Sequence, residues 1–358
     1  MNTDFIEKTN KIYEHLLDEE SKRLYVNRLK YNLTGDVQYL NDIVCSGSYL
    51  RNVLPWLNDN KNLPVYIYGA GIWGDKLYHA IKDLASVEGF VDSYKAGEYY
   101  CGKKIYSIDE LTNSVNNVLF IVSIKKGYAE VKNLLLKRGV DASKIIALGE
   151  IYDNEVNEYF ETFIWHDDNE VFVDAGVYDG GTTLDFVKWS HNKYKKIYMF
   201  EPSIDYYNRF YKNVEHLDNC EWIKKGLWSK PDTLRFFDRP DSDIATEQNL
   251  SGLKGIDYSD EKWVDIPVTS LDSYLPDERV TFIKMDIEGS ELEAIKGAKR
   301  IITEQKPKLA ICLYHKLEDI WTIPELLLEY NPEYYFYVRH YSMDMLDTVL
   351  YAVNNQMA

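Results

Sequence analysis

Asp174, Gly176, Gly180 and Glu201 are the residues whose types and spacing most directly suggest chemistry. An apolar run, Val171 to Val173, leads into Asp174, and a helical pattern begins near Thr183. Between them the two glycines let the backbone approach a ligand closely, and the helix start offers N–H groups with no partner of their own. Glu201 closes a second apolar strand (YMFEP), 21 positions after Gly180. An acid in that position accepts hydrogen bonds from the ribose of a bound nucleoside. The glycines are spaced G-x-x-x-G rather than G-x-G-x-x-G, which favours a cofactor without a pyrophosphate. Taken singly, the same residues also read as a tight turn and a helix cap.

A second group lies further along. MDIEGSE puts Asp286 and Glu288 at the end of another predicted strand, with Ser290 as a candidate cap of the next helix. His315 ends the strand that follows (ICLYH), on the same predicted sheet edge. A neutral imidazole there would take a proton from an acceptor hydroxyl. Asp286 and Glu288 could also share a divalent cation with an acceptor oxygen. No further ligand set is visible, so no metal is assigned. Arg339 and His340, at the end of YYFYVRH, are weaker candidates for acceptor contact.

A third pattern precedes both. The strand VYIY runs into Gly69-x-Gly71-x-x-Gly74 and an amphipathic helix, and Asp92 ends a short strand 18 positions past Gly74. This is the dinucleotide fingerprint in its required strand–helix setting, and it predicts a nucleotide or nucleotide-sugar site.

The elements that must carry these residues fall into three stretches. Residues 1–62 show apolar positions at helical spacing (Ile6, Ile12, Leu16, Leu24, Leu29) and read as a helical N-terminal segment. Residues 63–150 read as a small Rossmann-like domain, and residues 151–358 as a larger α/β domain. Its predicted strands are VFVDAG, KIYMFEP, CEWIKKGLW, LRFFD, WVDIPV, VTFIKMDIEG, PKLAICLYH, YYFYVRH and MLDTVLYAV. Helical patterns between the long strands imply a mainly parallel sheet with helices on both faces. The last two strands are too close for a helical crossover and must pair antiparallel.

Composition bounds the rest. A chain of 358 residues suggests two domains. A net charge of −17 argues against a nucleic-acid partner. The four cysteines are scattered without C-x-x-C spacing and read as reduced thiols of a cytoplasmic protein. The polar N-terminal stretch has no secretory pattern, and no window approaches the ~20 apolar residues of a membrane span.

The third stretch resembles the FkbM-type S-adenosylmethionine-dependent methyltransferases. The likeness is carried by VDAGVYDGGTT, the FEP after the second strand, GLWSKPDTLRFF, IPVTSLDSYL and above all FIKMDIEGSELEAIKGA (Phe282 to Ala298). It implies a Rossmann-like methyltransferase domain, a mainly parallel seven-stranded sheet with one antiparallel strand. Its cofactor would be S-adenosylmethionine. On that resemblance Gly176 and Gly180 pass under the methionine and ribose portions, and Asp174 orients the loop or receives the methionine ammonium. Glu201 accepts the ribose hydroxyls, Asp286 touches the cofactor's amino group or positions the acceptor, and Asp243 reaches the adenine amino group. The acceptor would be a hydroxyl of a saccharide or other small polar molecule, methylated within glycan assembly. The second stretch is similar to small Rossmann-like domains found ahead of sugar-nucleotide-modifying enzymes, and no activity is carried over from it. Two alternatives remain at this point. One is an oxidoreductase holding NAD through Gly69, Gly71, Gly74 and Asp92. The other is a non-catalytic binding module.

Overall fold

The computed structural model describes residues 3–111, 117–203, 210–237, 245–246 and 263–354. They form two compact units. The larger comprises residues 1–35, 157–339 and 347–358, and the smaller residues 36–156 and 340–346. The helices expected over residues 1–62 are divided between them. α1 (Thr3–Glu14) and α2 (Glu19–Thr34) belong to the larger unit, α3 (Val37–Ser46) and α4 (Leu50–Asp59) to the smaller. Gly35 makes the division locally: it caps α2 in the left-handed region, φ 69°. Asp36 then starts α3 by accepting from the Gln38 N–H at 3.0 Å.

The smaller unit continues with β1 (Val65–Tyr68), α5 (Ile72–Ile81), β2 (Val87–Val91), β3 (Tyr99–Tyr100), β4 (Lys103–Tyr106), β5 (Leu119–Val122), α6 (Tyr128–Lys137), β6 (Ile145–Ala147) and α7 (Leu148–Glu155). Its sheet has the order β3-β4-β2-β1-β5-β6, parallel except for the β3–β4 hairpin. α3 and α4 bury Val44, Leu50, Val53 and Leu57 in the same apolar cluster as Ile67, Leu77 and Phe90.

The larger unit contains β7 (Val171–Ala175), α8 (Gly181–Trp189), β8 (Lys196–Phe200), β9 (Cys220–Ile223), β10 (Gly226–Leu227), β11 (Asp232–Phe237), β12 (Ala245–Thr246), β13 (Trp263–Thr269), β14 (Phe282–Met285), α9 (Glu291–Lys296), β15 (Lys308–Cys312), α10 (Asp319–Tyr330), β16 (Tyr334–His340) and β17 (Thr348–Asn354). Seven strands form the main sheet in the order β16-β17-β15-β14-β7-β8-β9. β7, β8, β9, β14 and β15 run parallel, and β17 runs antiparallel to β15. The expected mainly parallel seven-stranded sheet is therefore present. One strand differs: CEWIKKGLW is broken after Ile223, so β9 ends the main sheet and β10 joins the separate four-stranded sheet β10-β13-β11-β12.

β7, β14 and β15 are buried along their whole length, which is why they read as mainly apolar runs. Beneath α8, Phe172 stacks on Phe186 at 4.2 Å, and Phe160, Phe282 and Trp189 pack around them. β7 lies at the centre, where strand order reverses: β8 and β9 extend one way, β14 and β15 the other. In such sheets ligands bind outside the carboxyl ends of the strands at this reversal. α2 is tied to the same sheet by Arg339, whose Nη2 donates to Asp18 Oδ2 at 2.6 Å. That contact gives Arg339 a structural partner, in place of the acceptor contact expected of it.

Candidate functional site

The loop after β7 is shaped by backbone conformations that few residues adopt. Gly176 and Gly180 have φ of +81°, and Tyr178 between them has φ of +52°. At Gly176 glycine is required twice over, because an added Cβ would stand 1.8 Å from the carbonyl oxygen of Asp286. The β7 and β14 loops thus approach to backbone contact at the reversal point. Glu201, one residue past β8, is 5% exposed. Its Oε2 accepts from the Tyr178 N–H at 3.3 Å and its Oε1 from the Ser203 N–H at 2.9 Å. Burial raises its pKa above the ordinary carboxylate value, and these N–H groups and Lys284 only partly offset that. A carboxylate offers about four lone-pair sites, so capacity for further donors remains beside the loop.

Asp174 is fully buried. Its Oδ2 accepts from Thr183 Oγ1 at 2.7 Å, and its Oδ1 lies 3.2 Å from Lys284 Nζ. This is the geometry of a loop-orienting residue, pinning β7 to the first turn of α8, rather than of an ammonium receptor open to a ligand. Lys284 itself was not singled out in the sequence. It is 2% exposed and donates to the Gly176 carbonyl at 2.6 Å and the Ala175 carbonyl at 3.2 Å. Burial works against its ammonium, but the charges of Asp174 and Asp286 hold its pKa above the usual lysine value. The signal was present: FIKM places a lysine inside an otherwise apolar strand, and register sets it opposite Asp174.

Asp286, Glu288 and His315 come together at the carboxyl ends of β14 and β15. His315 Nε2 lies 3.3 Å from Glu288 Oε2 and 3.6 Å from Asp286 Oδ1. Glu288 has φ of +55° in the turn before α9. The sequence missed Glu291, which is fully buried: its Oε1 accepts from the Ile287 N–H at 2.9 Å and stands 3.0 Å from His315 Nδ1. Burial alone would lower the histidine pKa, but Glu291, Glu288 and Asp286 raise it well above 6.5. At neutral pH this surrounding favours a protonated ring, not the neutral imidazole expected of a base. The carboxylate of Asp286 is held below the ordinary value: burial would raise it, but Lys284, His315 and the hydroxyls of Tyr314 and Tyr159 outweigh that. Tyr314 donates to Oδ1 at 2.8 Å and Tyr159 to Oδ2 at 3.1 Å. No motif marked Tyr159, which reaches the site from the loop before β7 with φ of +68°. Asp243 and most of the polar segment around it lie outside the described residues.

In the smaller unit the glycine pattern is used internally. A Cβ at Gly74 would meet the Gly69 carbonyl oxygen at 2.0 Å. Asp92 accepts from the Ala70 N–H at 3.0 Å through Oδ2, and from Tyr94 (2.9 Å) and Lys95 (3.2 Å) through Oδ1. Oδ2 therefore braces the glycine loop and Oδ1 the turn after β2. Gly71 begins α5 with open space where a side chain would stand.

Comparison with known proteins bears on both units. Residues 174–344 match the family model described as Methyltransferase FkbM domain. Residues 61–146 match a model described as C2185-like, N-terminal. No curated protein matches the chain. Among solved structures, the methyltransferase FkbM from Methylobacillus flagellatus KT is 20% identical, with TM-score 0.47, covering 92% of this chain and 98% of that one. A precorrin-6y C5,15-methyltransferase from Geobacter metallireducens is 14% identical, with TM-score 0.34, covering 56% and 88%. A putative methyltransferase from Streptococcus mutans in complex with SAH is 11% identical, with TM-score 0.31, covering 52% and 90%.

Proposed function

We propose, because residues 174–344 match the model described as Methyltransferase FkbM domain, that the chain is an O-methyltransferase acting on a hydroxyl of a saccharide or other small polar acceptor. Its methyl donor is S-adenosylmethionine, which supplies a methyl group on a sulfonium and leaves as a neutral thioether. The observation that carries the reading is the loop at the strand-order reversal. Gly176 and Gly180 in the left-handed region wrap beside a buried carboxylate, Glu201, that retains acceptor capacity for two ribose hydroxyls. Asp174 and Lys284 fix that loop from below, so the donor is held without reorganisation.

Methyl transfer is an in-line displacement, and the protein's task is to align the acceptor oxygen and remove its proton. Asp286 is oriented by Tyr159 and Tyr314 and receives the acceptor's hydrogen bond. Glu288, the more exposed of the two carboxylates at 34% against 26%, takes the proton as the new C–O bond forms. The ring of His315 keeps these like charges together. The cluster's polarity supports a hydroxylated acceptor over an apolar one. The four free cysteines support a reducing, cytoplasmic setting. Among the described residues no helix is long and apolar enough to cross a membrane. The smaller unit acts as a scaffold in this reading, since Asp92 is already engaged.

Calorimetric titration with S-adenosylhomocysteine tests the site. Binding should be saturable, and Glu201→Ala should weaken it ten- to a hundredfold, the loss of charge-assisted hydrogen bonds of ~1.5–3 kcal/mol. Equal affinity in the variant would remove Glu201 from the donor site. Binding of NAD or a nucleotide-sugar with no binding of S-adenosylhomocysteine would reverse the assignment.

A further inference from the structure

We infer that His315, Asp286 and Glu288 form a divalent-cation site, with Glu291 holding the imidazole from its far side. In sequence only Asp286 and Glu288 were visible as possible ligands, and two carboxylates do not make a site. The fold adds a nitrogen ligand and its support. His315 is 10% exposed at its side chain, and its Nε2 points between the two carboxylates, 3.6 Å from Asp286 Oδ1 and 3.3 Å from Glu288 Oε2. Nε2 makes no well-formed hydrogen bond among the described residues, and Oε2 of the fully buried Glu291 also lacks one. Buried polar atoms are seldom left so, and each such case calls for an explanation.

A shared cation supplies one, and its binding displaces the ring proton from Nε2. Ligand atoms that each stand about 2.1 Å from an ion are about 3.0–3.4 Å apart in octahedral or tetrahedral arrangements. The separations at Nε2 are near that range, whereas they are long for hydrogen bonds. Glu291 stands 3.0 Å from Nδ1, on the opposite edge of the ring. A carboxylate behind a ligating histidine fixes its tautomer and strengthens it as a donor. Oxygens of Asp286 and Glu291 and a ring nitrogen of His315 all lie within 4.8 Å of one another, which keeps the supporting carboxylate beside the ligand set. Asp286 and Glu288 are 26% and 34% exposed, so an ion can enter and water or an acceptor oxygen can complete its shell. One imidazole with carboxylates suits manganese or zinc better than magnesium or calcium, which prefer oxygen alone. A cation here would polarise the acceptor hydroxyl, a role that rests on the methyltransferase reading; the binding itself does not.

Titration of the full chain with Mn2+, followed by electron paramagnetic resonance, and with Zn2+ by calorimetry, tests the site. One equivalent should bind per chain. His315→Ala should abolish binding, and Glu291→Gln should weaken it about ten- to a hundredfold. S-adenosylhomocysteine affinity, measured on the same samples, reports whether each variant is folded. If His315→Ala does not fold, Glu288→Gln replaces it and should likewise lose most of its affinity. The inference fails if wild-type protein that binds S-adenosylhomocysteine takes up neither metal at millimolar concentration, or if the folded variants bind metal undiminished. Metal uptake that depends on His315 without any S-adenosylhomocysteine binding would sustain this site and overturn the functional reading instead.

Discussion

At the scale of single residues, the site depends on charges placed where water is largely excluded, and Glu201 shows what that implies. Its folded pKa is raised above the ordinary 4.5. The folded protein therefore holds this proton more tightly than the unfolded chain, so the contribution to stability is largest at low pH and is lost as pH rises through the raised value. Donor binding runs the other way, because the ribose hydroxyls need the ionised carboxylate. Affinity for S-adenosylhomocysteine should be full well above the raised value and should decline as pH falls through it, before the ordinary carboxylate range is reached. Calorimetry between pH 8 and about 4.5 checks this, and a flat profile would show that Glu201 stays ionised or does not bind the ribose. Glu201 was singled out in sequence because a strand-end acid at fixed distance from a glycine loop is a short-range pattern. Glu291 and Tyr159 were not, because neither belongs to a motif and both become relevant only when the chain folds them onto His315 and Asp286.

At the scale of elements, two adjacent parallel strands hold the centre of the site through one cross-strand pair. Register sets Lys284 of β14 opposite Asp174 of β7, and both side chains are buried. Removing one partner of such a pair leaves an uncompensated buried charge and costs about 3–5 kcal/mol. Lys284→Met should lower unfolding stability by that amount in urea, and adding Asp174→Asn should restore part of it. Strictly additive losses would show that the pair is not coupled. The strands themselves were legible from their apolar runs. The break after Ile223 was not, because CEWIKKGLW keeps the composition of one strand while its two halves pair with different sheets. Pairing partners are set by distant segments, which local pattern does not contain.

At the scale of the whole molecule, two units carry a glycine-rich strand–helix turn, and they use it differently. In the larger unit Glu201 accepts one backbone N–H at each oxygen, which leaves about two lone-pair sites for further donors. In the smaller, Asp92 accepts three backbone N–H groups, from the glycine loop and the next turn, which leaves about one. S-adenosylhomocysteine at a hundredfold excess over its Kd should therefore stabilise the chain by about 2.7 kcal/mol, raising the thermal midpoint, while NAD should leave it unchanged. A shift with NAD comparable to that with S-adenosylhomocysteine would show that the smaller unit still binds a nucleotide. The sequence by itself determined the class of fold, most of the order of strands and helices, and the positions of Asp174, Gly176, Gly180 and Glu201 at and after the ends of two strands, because periodicity and short fixed spacings are local properties of a chain. Only the tertiary structure decided that Asp174 serves Lys284, that Asp92 is engaged, and that three carboxylates surround His315. Those outcomes depend on which distant side chains share a buried volume, and there a charge must find its opposite whatever lies beside it in sequence.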